Sequence, residues 1–154
     1  MPESGDLTSY CGLYCPGCGL QQGKVTEQVE GLQRILTTYK VGGQKDTLSK
    51  AEPAFKHYDK FEQVLEAIKG VFGSCPGCRN GGGIPDCEVK SCARDRGYKT
   101  CLDCIRMESC SELKSRTWAL PALRQIRDEG YESWLKTKRE MVEAGWSYLN
   151  ESES

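Results

Sequence analysis

The sequence predicts a small, mainly α-helical single domain, α(+β) at most, in which irregular cysteine-rich loops bind metal and staple the fold. Three observations predict it. Ten cysteines stand among 154 residues, well above ordinary usage. Only 28 of those 154 residues are Leu, Ile, Val or Phe, a thin supply for a core that must offset the conformational entropy of the chain. Apolar residues also recur at helical spacing in separate stretches, while the cysteines crowd into the segments between them.

Charge and hydropathy narrow the setting. With 21 basic against 22 acidic residues the net charge is −1, so neither disorder through self-repulsion nor a broad basic face for nucleic acid is expected. No apolar run reaches the ~18 residues of a membrane span, and the opening MPESGDLTSY lacks the basic and apolar regions of a secretory signal. A cytoplasmic location is expected. Thiols are kept reduced there, and C-x-x-C pairs more often serve metals or redox chemistry than disulfides.

Residues 1–154 read as one cysteine-rich metal-binding domain. Val25, Val29, Leu32, Leu36 and Tyr39 predict an amphipathic helix that Gly42-Gly43 ends. Phe55, Tyr58, Phe61, Leu65, Ile68 and Phe72 predict a second, with Glu52-Pro53 at its start and Gly70 and Gly73 at its end. Together they form a helical hairpin over about 25–72, which returns the chain so that Cys75 and Cys78 can meet Cys15 and Cys18. Metal loops are expected at 11–19 and 75–110, the latter with one short helix around Glu88 to Arg96. Leu120, Leu123, Ile126, Trp134, Leu135, Met141 and Val142 predict C-terminal helices over about 121–146, divided at Gly130, where a helical glycine would cost ~1 kcal/mol. The tail Glu151-Ser-Glu-Ser is expected to fray.

The cysteine spacing carries the chemistry. Cys15-Pro16-Gly17-Cys18 sets two thiolates three positions apart on a turn that Pro16 presets, with glycines allowing N–H groups near the sulfurs. Cys75-Pro-Gly-Cys78 repeats it, and Cys101 and Cys104 form a third pair. A lone cysteine is usually a small buried hydrophobe; three spaced pairs point to metal. The expected ligands are Cys11, Cys15, Cys18, Cys75, Cys78, Cys87, Cys92, Cys101, Cys104 and Cys110. The preferred grouping is Cys15, Cys18, Cys75 and Cys78 for one site, and Cys87, Cys92, Cys101 and Cys104 for the other. Cys11 and Cys110 compete for places. Two closed sites of four thiolates each suit about two zinc ions in a structural role, with Arg79, Lys90, Arg94, Arg96, Lys99 and Arg106 near enough in sequence to balance the sulfur charge.

Iron–sulfur ligation is the alternative, since thiolates hold clusters as well. Cys11-x3-Cys15-x2-Cys18 resembles the spacing of radical S-adenosylmethionine enzymes, but no βα repeat accompanies it. Cys101-x2-Cys104-x5-Cys110 is similar to part of an auxiliary-cluster pattern. A thiol-disulfide enzyme using one C-x-x-C pair is a third reading. Elsewhere His57 belongs to no recognisable triad. Gly81-Gly82-Gly83 lacks the Lys-Ser/Thr of a phosphate loop, and Trp118, Trp134 and Trp146 are expected in the core.

The strings CGLYCPGC, CPGCR, DCEVKSCARDRGYKTCLDCIRMESCSEL and LRQIRDEGYESWL resemble a family of short cysteine-rich bacterial and archaeal proteins of unknown function, DUF3795. The likeness runs from about Tyr10 to Trp146. It implies zinc binding through the ten cysteines and assigns no activity. The expected function is a structural zinc module acting in protein interaction, with an unidentified protein partner, no catalytic residue and no membrane; the alternative is an iron–sulfur protein in electron transfer or redox sensing.

Overall fold

A computed structural model describes residues 7–151. Of the expected frayed tail, residues 152–154 lie outside the described residues, while Glu151 closes the last helix. The described chain is mainly helical, and its one trace of β structure is an isolated bridge between Thr8 and Tyr14. Eight α-helices follow in order: α1 (Lys24–Thr38), α2 (Lys45–Ala51), α3 (Tyr58–Phe72), α4 (Glu88–Asp95), α5 (Ser111–Lys114), α6 (Ala119–Glu129), α7 (Tyr131–Glu143) and α8 (Tyr148–Glu151). Two compact units form, one from the chain up to Gln22 with Cys75 onward, the other from Gly23–Ser74.

The Gly23–Ser74 unit is the expected hairpin, α1 against α3, with differences at its tip. Helix α1 stops before Gly42, because Lys40 takes a left-handed φ of 53°. The Lys40 N–H then bonds the Thr37 carbonyl at 3.1 Å and the Val41 N–H bonds the Leu36 carbonyl at 3.0 Å, a Schellman end that satisfies the last carbonyls. Helix α2 forms in the stretch between the two expected helices. The second hairpin helix begins at Tyr58 rather than before Phe55: Pro53–His57 is a 3₁₀ turn, capped by the Glu52 carboxylate accepting from the Ala54 N–H at 3.3 Å. At the base, the Thr26 hydroxyl donates to the Gly73 carbonyl at 3.0 Å and ties the two ends together.

The other unit holds all ten cysteines and two apolar clusters. Val89, Ala93, Cys101, Met107, Leu113, Ala119 and Leu123 form the first; Tyr14, Ile126, Trp134 and Leu135 form the second. Leu113, Leu123, Ile126 and Trp134 are fully buried, each contributing about 1.5–3 kcal/mol of transfer free energy. Helices α6 and α7 match the expected pair. Pro121 falls within the first turn of α6, where its missing N–H costs nothing, and Gly130, at φ 81°, separates the two helices. Of the three tryptophans expected in the core only Trp134 is fully buried. Trp118 is 42% exposed, standing at the N-terminus of α6, and Trp146 is half-buried over the first cysteine loop. Among the described residues no helix is long and apolar enough to cross a membrane.

Candidate metal centre

The first cysteine loop is a single 3₁₀ turn over Cys15–Gly17, closed by the Cys18 N–H on the Cys15 carbonyl at 2.9 Å. Pro16 opens the turn. The loop is held from both sides. The Cys15 N–H bonds the Leu7 carbonyl at 2.7 Å, the Tyr14 N–H donates to the Tyr148 hydroxyl oxygen at 3.0 Å, and the Ser147 hydroxyl donates to the Gly17 carbonyl at 3.1 Å. Gly17 was expected to open the way for N–H groups toward sulfur. Its place has another cause: a Cβ there would stand 2.3 Å from the ring edge of Trp146.

The second C-P-G-C loop lies against the first. Cys15 and Cys78 are near enough to act on one another, so Cys15 is held below the usual thiol range by Cys78, and Cys78, beside Cys15 and buried, is pushed up. Cys18 and Cys75 are close enough for their charges to act on Cys15. The four residues grouped from spacing alone are therefore neighbours. Beyond Cys78 the chain curls back, with the Gly82 N–H on the Gly77 carbonyl at 2.9 Å, and the Gly83 N–H donates to the Cys75 sulfur at 3.3 Å. A Cβ on Gly82 would come 2.8 Å from the Cys75 sulfur, and one on Gly83 would come 2.9 Å from that of Cys78. Both sulfurs thus lie against bare backbone, and the N–H donated to Cys75 is a contact that stabilises a thiolate. Lys90 and Arg79 lie within electrostatic reach of Cys78, and the Lys90 ammonium is fixed by donating to the Gly82 carbonyl at 3.0 Å.

A second set surrounds Cys101. The Thr100 and Asp103 side chains cap the turn that carries it: Thr100 Oγ1 accepts from the Leu102 N–H at 3.2 Å, and the Asp103 carboxylate accepts from the N–H groups of Lys99 and Thr100 at 2.7 and 3.4 Å. Burial, and then the neighbouring sulfurs of Cys11, Cys110, Cys104 and Cys92, push the Cys101 thiol up to about 12. Cys92, Cys101, Cys104 and Cys110 line one cavity of about 70 Å³, with Val89, Ala93, Met107 and Leu113 around it. Cys110 lines this cavity and Cys87 does not. The Cys87 sulfur instead meets the Arg116 guanidinium at 3.8 Å.

Of the cations expected from sequence, Arg79 and Lys90 act on the first set, and Arg96 lies within electrostatic reach of Cys92 in the second. Arg116 was missed. Burial works to lower its pKa, but the bond to Glu112 and the sulfurs of Cys87 and Cys11 raise it overall. Its only sequence signal is its place six residues after Cys110. His57 is exposed in the other unit. Among the described residues, no group of three or more His, Cys, Asp or Glu side chains is drawn to the spacing of ligands around one ion. The thiols are gathered without sharing a common centre. What they offer is all-sulfur donor sets, one on bare backbone and one around a small apolar space, which suit soft or borderline metals over hard ones.

Residues 7–115 match the family described as "Protein of unknown function (DUF3795)". No curated protein and no solved structure matches the chain.

Proposed function

Since the chain belongs to the family described as "Protein of unknown function (DUF3795)", membership brings no activity with it, and we propose from its own residues that it is a structural metal-binding module. In this reading Cys15, Cys18, Cys75 and Cys78 hold one zinc ion, and a second site is drawn from the cysteines around Cys101. The observation that carries it is the contact of Cys15 with Cys78, two halves of repeated C-P-G-C turns brought together from distant parts of the chain. The glycine cradle supports it, because Gly82 and Gly83 leave room for sulfur and for nothing larger than hydrogen beside it. A closed set of four thiolates leaves no coordination position for substrate, so the ion would stabilise rather than catalyse. The module's use would be a shaped surface for a protein partner, and the wholly exposed Ile105, beside Cys104, is an apolar point on it.

One observation favours a second reading for the set around Cys101. A zinc ion draws four sulfurs to about 2.3 Å from a single point and leaves no void. An iron–sulfur cluster places a core of iron and sulfide between them, and here four cysteines line a space of about 70 Å³.

Elemental analysis of protein purified without oxygen tests both. Colourless protein with about two zinc ions per chain, reduced to about one in Cys78→Ser, is the expected result. Zinc with equal amounts of iron and acid-labile sulfide would assign the second set to a cluster. Protein that is folded and free of any metal would overturn the proposal.

A further inference from the structure

Helices α6, α7 and α8 border a second, half-open cavity of about 240 Å³ in the cysteine-bearing unit. Its walls are largely apolar, from Leu13, Trp118, Pro121 and Ala122. Lys138 and Trp134 are among its lining residues, and each carries a donor without an acceptor among the described residues. Lys138 is only 8% exposed and makes no ion pair or hydrogen bond among the described residues; its ammonium lies over the Trp146 ring at 4.3 Å and the Tyr148 ring at 5.7 Å. The buried indole N–H of Trp134 has no partner among the described residues.

A buried ammonium without a counter-ion is costly, because ring faces return only part of its lost hydration. A buried N–H left unmade adds to that cost. The carboxylate among the cavity's lining residues is Glu151, which is exposed and accepts from the Trp146 indole N–H at 3.1 Å. What the Lys138 ammonium lacks is a negatively charged partner: among the described residues no carboxylate, Glu151 included, makes an ion pair with it. Its volume lies just below the few hundred Å³ of ordinary small-molecule pockets, enough for a single ring or short aliphatic body.

We propose that this cavity binds a small organic monocarboxylate, its apolar body against Trp118, Pro121 and Ala122 and its carboxylate on the Lys138 ammonium. The site uses no cysteine and does not depend on which metal the thiols hold. The bland alternative is a lysine whose stem merely covers apolar surface, and it predicts no preference for an anion.

Phenylacetate and its neutral counterpart phenylacetamide separate the two on the full chain as purified, with its metal content measured before and after titration. Calorimetry should show phenylacetate binding at least tenfold more tightly than the amide, the loss expected when a charge-assisted hydrogen bond is removed. The Trp134 indole N–H resonance, assigned with Trp134→Phe, should shift during the titration. Lys138→Met, which keeps the stem and loses the charge, should bring phenylacetate down to the affinity of the amide. Equal affinity of acid and amide, no binding by either, or an unmoved Trp134 resonance at saturation would each overturn the proposal. The comparison of acid with amide on unsubstituted protein holds even if Lys138→Met fails to fold. Loss of binding together with loss of metal would place the ligand at the thiols and overturn it as well.

Discussion

Trp146 lies flush on Gly17, so close that a methyl group at residue 17 would stand 2.3 Å from the ring. The contact joins the connection between α7 and α8 to the first cysteine loop, and Ser147 and Tyr148 reinforce it with hydrogen bonds to Gly17 and Tyr14. A glycine that resembles part of a metal knuckle is here a packing surface.

Gly17→Ala should therefore destabilise the protein by about 1–3 kcal/mol through overpacking. Trp146→Ala should make the second change nearly neutral, since the clash needs both partners. Urea unfolding of the two single variants and the double variant measures the coupling. Additive losses would mean that the ring does not cover Gly17.

Among single cysteine changes, Cys78→Ser and Cys110→Ser should cost more stability than Cys87→Ser. Cys78 sits in the glycine cradle and Cys110 on the cavity wall, whereas Cys87 stands apart beside Arg116. Melting temperatures of the three, with metal content for each, give the order. A Cys87→Ser variant as damaged as the others would bring Cys87 into the second set.

Trp134 tests the second apolar cluster. Trp134→Ala should cost about 3–5 kcal/mol for the cavity it leaves, and it removes the edge contact with Tyr14 at a centroid distance of 6.1 Å. Trp134→Phe should cost much less than its lost volume implies, because it also removes a buried N–H with no partner among the described residues. Denaturant midpoints compare the two.

Tyr148 gives a pH dependence. Burial, opposed in part by the Tyr14 N–H, pushes its phenol up to about 12 from an ordinary value of 10.0. A raised folded pKa favours the protonated form, so this stabilisation is whole below pH ~10 and is lost as pH rises toward about 12, for a total of about 2–3 kcal/mol. Tyr148→Phe should show a shallower fall in unfolding free energy over that window than the unsubstituted protein. Parallel curves would show the phenol to be unshifted.

Much of this architecture was legible before any fold was known. Helices α1, α3, α6 and α7 follow from apolar spacing within a few residues, because a stripe repeated at helical period has no other way to reach a core; α4 falls where one short helix was expected in a stretch without such a period. Helices α2, α5 and α8 carry too few apolar residues to show a period. The repeated C-P-G-C turns suggested that Cys15, Cys18, Cys75 and Cys78 group together, and Cys18, Cys75 and Cys78 lie near enough to act on Cys15. Around Cys101 spacing was a poorer guide, since Cys110 lines the cavity that Cys87 avoids.

The order of residues alone determined where the longer helices form, to within a few residues of their ends, and that thiols rather than aliphatic bulk would dominate the loops, since these depend on spacing and backbone preference within a turn or two. Tertiary structure decided which side chains meet across long stretches of chain. It set Trp146 on Gly17, Arg116 beside Cys87 and Lys138 in an apolar wall, because such contacts are chosen by the packing of whole helices and leave no local trace in the string of residues.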